Sequence, residues 1–266
     1  MNLLNARVVL RVRGVADVLD LAVPYCLRGW RLFASLSILV LGPAFSLSVL
    51  LRYASDWSWQ NVWFACLIMG GMLQAPFSLA AGELLFNEPH QAQVRTLFRH
   101  LWRRLFAFVF AHLTSRLILA LSSLTVVGWP VAASALLFTH EAALLEGASG
   151  PDAMARSKRL VARNYAAALG TWLATSLCPL VCVLMAEVLG QAVVSTTLQL
   201  GEPVGNLFVE GGSVYALAGF FLALPLVATA RFLKYIDIRT RKEGWDIQLR
   251  FMSIAAVSKT TGTQAA

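Results

Sequence analysis

Residues 32–51 read Leu32-Phe33-Ala34-Ser35-Leu36-Ser37-Ile38-Leu39-Val40-Leu41-Gly42-Pro43-Ala44-Phe45-Ser46-Leu47-Ser48-Val49-Leu50-Leu51. No charge interrupts them, and a helix needs about 20 apolar residues to cross about 30 Å of hydrocarbon. The run therefore predicts a transmembrane helix. Working outward, similar runs cover about 62–86, 105–126, 131–145, 166–194 and 214–232. The run at 131–145 is the shortest and contains His140 and Glu141. Six spans paired as three hairpins predict an all-α, polytopic membrane protein. The overall composition agrees. Apolar residues make up 58% and charged residues 14%, where a soluble domain carries about 25% charged. Mean hydropathy is +0.67. A soluble fold has too little interior to hide that surface, so the bilayer must serve as solvent for part of it. A disordered chain and a disulfide scaffold are excluded as well, with only four Cys present.

The chain divides into an N-terminal amphipathic segment (1–30), a membrane domain (31–234) and a charged tail (235–266), with the small polar end Thr260–Ala266 expected to be disordered. In the first segment Arg7, Arg11, Arg13, Asp17 and Asp20 interrupt any continuous apolar stretch, so it does not read as a cleaved signal peptide. Instead Val8, Val12, Val15, Leu19 and Ala22 recur at helical spacing, which suits a helix lying on the membrane surface. Comparable basic amphipathic segments, Gln91–Arg104 and Pro151–Asn164, precede the second and third span pairs.

Of the 22 Lys and Arg residues, all but Arg52 and Arg116 fall in segments that a six-span chain places on one side. Cations concentrate on the cytoplasmic side of short loops. Both termini are therefore expected in the cytoplasm, with the spans in the bacterial inner membrane. The net charge of +8 is then explained by orientation and by anionic lipid headgroups, the expected partners, rather than by nucleic acid.

Arg116 falls inside the third run, and an unpaired Arg at that depth costs several kcal/mol. Counting equal steps from the Gly128-Trp129 turn puts Arg116 level with Glu141. Side chains tilt toward their helix N-terminus, so the two heads converge. An Arg116–Glu141 ion pair is expected, with His112 and His140 completing an intramembrane polar cluster. Glu187 and Glu83 are given only interfacial roles. Cys178 and Cys182 share a helix face, but no further ligands accompany them; neither a metal site nor a cofactor is expected. Ala166, Gly170 and Ala174 form a ridge on which another helix can pack closely.

Two charged segments carry a more specific pattern. One is Glu146-Gly147-Ala148-Ser149-Gly150-Pro151-Asp152-Ala153-Met154-Ala155-Arg156-Ser157-Lys158-Arg159-Leu160-Val161. The other is Tyr235-Ile236-Asp237-Ile238-Arg239-Thr240-Arg241-Lys242-Glu243-Gly244-Trp245-Asp246-Ile247-Gln248-Leu249. Together they resemble the bacterial family named for the glycerophosphoryl diester phosphodiesterase membrane domain and related six-span proteins. The resemblance implies an acidic-Gly loop leading into a basic helix, then a charged tail after the last span. It carries no phosphodiesterase activity, because the soluble catalytic domain fused to some relatives has no counterpart here. Physically, the tail is expected to leave the last span as a helix that Gly244 caps. Asp237, Glu243 or Asp246 would then meet the cations of the Arg156–Arg163 helix, among them Arg159. Arg239 and Glu243 stand four residues apart on one face.

No paired acid/base motif, phosphate loop or nucleophile motif occurs, so an enzyme is not expected. The remaining classes are a scaffold or regulatory module docking headgroups or a membrane or cytoplasmic protein at its cytoplasmic face, and a transporter or lipid-handling carrier built around Arg116 and Glu141.

Overall fold

The computed structural model describes residues 14–86, 93–162, 164–199 and 204–243, and every regular element among them is helical. The order is α1 (Val15–Arg28), α2 (Trp30–Tyr53), α3 (Trp59–Leu73), α4 (Ala75–Phe86), α5 (Val94–Ser122), α6 (Gly128–Ala135), α7 (Gly150–Val161), α8 (Tyr165–Gln191), α9 (Leu207–Glu210) and α10 (Val214–Glu243). Between α6 and α7 lie one helical turn, Thr139–Glu141, and a π-helical turn, Ala142–Glu146.

Among the described residues five helices are long and apolar enough to cross a membrane: α2, α3 with α4, α5, α8 with its π-helical extension, and α10. The architecture is that of a multi-pass membrane protein. The expected sixth span, 131–145, is not a continuous helix. It breaks after Ala135, where Leu136 (φ −96°, ψ 4°) and Phe138 (φ −102°, ψ 14°) leave helical geometry. The segment still runs back alongside α5, since His140 meets His112 and the Leu144 carbonyl accepts from Arg104.

Interruptions elsewhere follow from proline. Pro76 has no N–H to donate into the preceding turn, and the helix parts at Gln74 between α3 and α4. A π-helical turn, Ser37–Leu41, precedes Pro43 in α2. Pro179 and Pro225 remain inside unbroken helices.

α10 is the core of the bundle. In its apolar stretch 72% of residues are buried, against 11% in α8, which turns most of its surface outward. The two approach closely at Gly219, where a Cβ would stand 2.4 Å from the Cys182 carbonyl oxygen. The Ala166–Gly170–Ala174 ridge receives α1 instead, with Val15 against Gly170. α1 buries Val18, Ala22 and Tyr25 and fastens itself by the Tyr25 hydroxyl donating to the Ala81 carbonyl (2.6 Å). Of the residues expected to share an apolar face, Ala22 is buried and Val15 and Leu19 are half-buried; Val8 and Val12 lie outside the described residues. On α5, Trp102, Phe106, Phe110, Leu113, Leu117 and Leu121 form one exposed apolar face, the surface that lipid tails solvate.

Candidate functional site

The polar centre of the bundle is Arg231, three residues before the end of the predicted membrane domain at 234. Its Nη1 donates to the Gln74 side-chain oxygen (3.2 Å), at the gap between α3 and α4. Its Nη2 donates to the Leu137 carbonyl (2.7 Å), in the gap after α6, and to Glu141 Oε2 (3.0 Å). One guanidinium therefore ties together both places where the transmembrane backbone is interrupted. On the other side of the second gap, Ser157 of α7 donates to the Ala135 carbonyl (2.7 Å) and accepts from the Phe138 N–H (3.1 Å). In an apolar medium, open backbone groups must find partners within the protein. Arg231 and Ser157 supply them.

From Arg231 a chain of rings leads away. Nη2 approaches His140 Nδ1 (3.4 Å), His140 Nε2 meets His112 Nδ1 (3.0 Å), and His112 Nε2 meets the Ile68 carbonyl (3.0 Å). A carbonyl only accepts, so His112 carries its proton on Nε2. Its Nδ1 then accepts from His140 Nε2, and His140 Nδ1 accepts from Arg231. Every partner is consistent with two neutral imidazoles.

The expected Arg116–Glu141 ion pair is replaced by Arg231–Glu141. The equal-step count assumed an unbroken helix on each side of the Gly128-Trp129 turn. The non-helical residues after Ala135 and the π-helical turn change the rise and phase, and His112 rather than Arg116 comes level with His140. His112, His140 and Glu141 are brought together; His112 and Glu141 are buried and His140 is half-buried. Arg116 stands beside them with much of its surface open, its Nη2 against Gly71, where a Cβ would sit 2.9 Å away.

A second polar layer surrounds Glu146, where the π-helical turn ends in Gly147 in the left-handed region (φ 70°). Glu146 accepts from Arg156 Nε (2.9 Å) of α7, from the Tyr235 hydroxyl, and pairs with Arg239 Nη1 (3.5 Å) of α10. Burial works to raise its pKa, but the bonds from Tyr235 and Arg156 and the nearby charges of Arg239 and Arg156 prevail and hold the carboxyl below its ordinary value. The tail continues α10 as a helix through Glu243, as expected. Asp237 takes Lys234 (2.8 Å) and Arg241 (2.5 Å) from its own helix, and Lys242 donates to the Arg159 carbonyl, so α10 and α7 are joined through Glu146 and that carbonyl. The Glu243 side chain, Gly244 and Asp246 lie outside the described residues.

At the opposite end Glu187, expected to be merely interfacial, is fully buried. It accepts from the Ser213 hydroxyl, the Leu207 N–H (2.8 Å) and Gln191 (3.2 Å), anchoring the segment that leads into α10. Nearby, Glu210 accepts from the Trp59 indole (3.3 Å) and faces Arg52 (3.8 Å), while Trp63 donates to the Gly211 carbonyl (3.0 Å). With Tyr53 and Trp57 these residues make an aromatic end, the belt that marks a membrane–water interface. Arg231 and Gln74 carried no recognised signal in the sequence: Arg231 reads as one more inner-flank cation and Gln74 as an ordinary polar residue, while Ser157 belongs to the Glu146–Val161 pattern, which did not announce its bonds to Ala135 and Phe138. Among the described residues no three His, Cys, Asp or Glu side chains gather as a metal site.

No known family, curated protein or solved structure matches the chain.

Proposed function

We propose that this chain is a non-catalytic scaffold or regulatory module of the bacterial inner membrane, with both termini in the cytoplasm, that docks anionic headgroups or a protein partner at its basic end. One observation carries the reading. Arg95, Arg99 and Arg103 stand exposed along one face of α5, and that face continues through Trp102 into Phe106 and Phe110. None of the ion pairs found among the described residues uses these three cations. A cationic strip that turns aromatic and then apolar suits a phosphate headgroup above its acyl chains. The Glu146 layer beside it is internally paired and acts as its support. The six-span arrangement belongs to this reading, with the broken 128–146 segment completing the second crossing pair, and so does the resemblance to the phosphodiesterase membrane-domain family.

Native mass spectrometry tests it, with phosphatidylglycerol or phosphatidylcholine added to the purified chain. The anionic lipid should be retained preferentially, and Arg95→Gln/Arg99→Gln/Arg103→Gln should remove the preference. Equal retention of both lipids by the unaltered chain would contradict headgroup docking.

A second reading, a transporter or lipid-handling carrier, is favoured by one feature: two interrupted helices meet at a single buried Arg231, as discontinuous helices do around transporter sites. A solute that raises the melting temperature of the unaltered chain but not of Gln74→Ala would support it.

A further inference from the structure

Arg116 forms no hydrogen bond and no ion pair among the described residues, although Arg231, Glu141, His112 and His140 close by are all partnered. Its guanidinium shares the niche at Gly71 with the His112 ring, whose Cε1 would lie 2.4 Å from a Cβ at that glycine. Next to the niche, along α3, runs an open apolar groove of about 390 Å³ lined by Trp57, Asn61, Phe64, Ala65, Ile68 and Met69. Ile68 joins the two, because its carbonyl accepts from His112. On the facing helix Leu113, Leu117 and Leu121 are exposed. The result is an apolar groove along α3 and, about one helical turn beyond its Ile68–Met69 end, a cation at Gly71 with no partner among the described residues.

Depth decides what fits. At 1.5 Å per residue, Arg116 lies about 21 Å along α5 from Trp102, and Gly71 about 18 Å along α3 from Trp59. Both marks are interfacial aromatics, so the guanidinium stands near the middle of the hydrocarbon. Lipid phosphate remains at the headgroup level and does not reach it. A second copy of this chain would bring a second Arg116, while its Glu141 and Glu187 are already engaged. A carboxylate at mid-membrane depth is presented by a transmembrane helix of another protein. Ionisable groups inside a bilayer pair with one another, and Ala65 leaves the room that close helix approach needs.

We propose that the apolar groove along α3 receives a transmembrane helix from a different protein, one carrying an Asp or Glu near its middle that pairs with Arg116. The inference concerns the lateral face and stands apart from the basic end. The test uses the full chain in lipid nanodiscs and a fluorescent, Leu-rich transmembrane peptide with a central Glu, its Gln counterpart serving as reference. Association should be about tenfold tighter for the Glu peptide, the size of an interhelical polar contact. Arg116→Gln should abolish the preference and Arg116→Lys preserve it, which separates loss of charge from loss of fold. Ala65→Phe should fill the groove and weaken both peptides. Equal binding of the two peptides, or an unchanged preference in Arg116→Gln, would overturn the proposal. So would Arg116-dependent self-association or anionic-lipid retention in place of peptide binding.

Discussion

Arg116 lies close enough to Arg231 to feel its charge, yet the surroundings of the two are opposite. Both terminal nitrogens of Arg231 are used, on Gln74, the Leu137 carbonyl, His140 and Glu141. Arg116 has only the Gly71 niche and the His112 ring beside it. In an apolar medium a charge without a partner is expensive and a charge with partners on three elements is a structural joint. The first arginine therefore completes the fold from within. The second leaves a requirement that something outside the chain must meet.

The largest effect should come from Arg231→Leu. It strands Glu141 as a buried charge and opens the backbone at the gap after α6, so thermal unfolding in mild detergent should show a loss of about 3–5 kcal/mol. Arg116→Leu, which breaks no internal bond, should cost far less; similar losses would erase the contrast. Next comes Ser157→Ala. It leaves the Phe138 N–H and Ala135 carbonyl without their shared hydroxyl, at about 1–3 kcal/mol. An unchanged melting temperature would mean that the helix break is held by Arg231 alone.

The smallest effect belongs to Glu146. Its carboxyl titrates below the ordinary value in the folded chain, so its ionised form contributes stability above the unfolded carboxylate pKa. That contribution disappears as pH falls through the lowered folded value. Glu146→Gln should flatten this part of the acid limb of stability by about 1 kcal/mol or less, since the site is partly open to solvent. An acid limb identical to that of the unaltered chain would remove Glu146 from the account.

The fold was legible where a single property sufficed. Uninterrupted apolar length identifies five helices able to cross a membrane, and the spacing of Val15, Leu19 and Ala22 identifies α1 as a helix. Pro76 announces the gap at Gln74. The break after Ala135 had no such announcement: Ala135-Leu136-Leu137-Phe138 contains neither Gly nor Pro, and the non-helical turn exists because Ser157 and Arg231 arrive from distant elements to satisfy it. That tertiary event shifted the register along α5 and exchanged one arginine for another as the partner of Glu141. His112, His140 and Glu141 were legible as a cluster because polar residues at similar depth must seek each other. Gln74 and Glu187 were not, because burial, not residue type, gives them their roles.

The identity of Glu141's partner can be measured by two double-mutant cycles, Arg231→Leu with Glu141→Leu and Arg116→Leu with Glu141→Leu, each read by unfolding in the same detergent. The first cycle should show a coupling above about 1 kcal/mol and the second a coupling near zero. A dominant coupling between Arg116 and Glu141, with none between Arg231 and Glu141, would contradict the account.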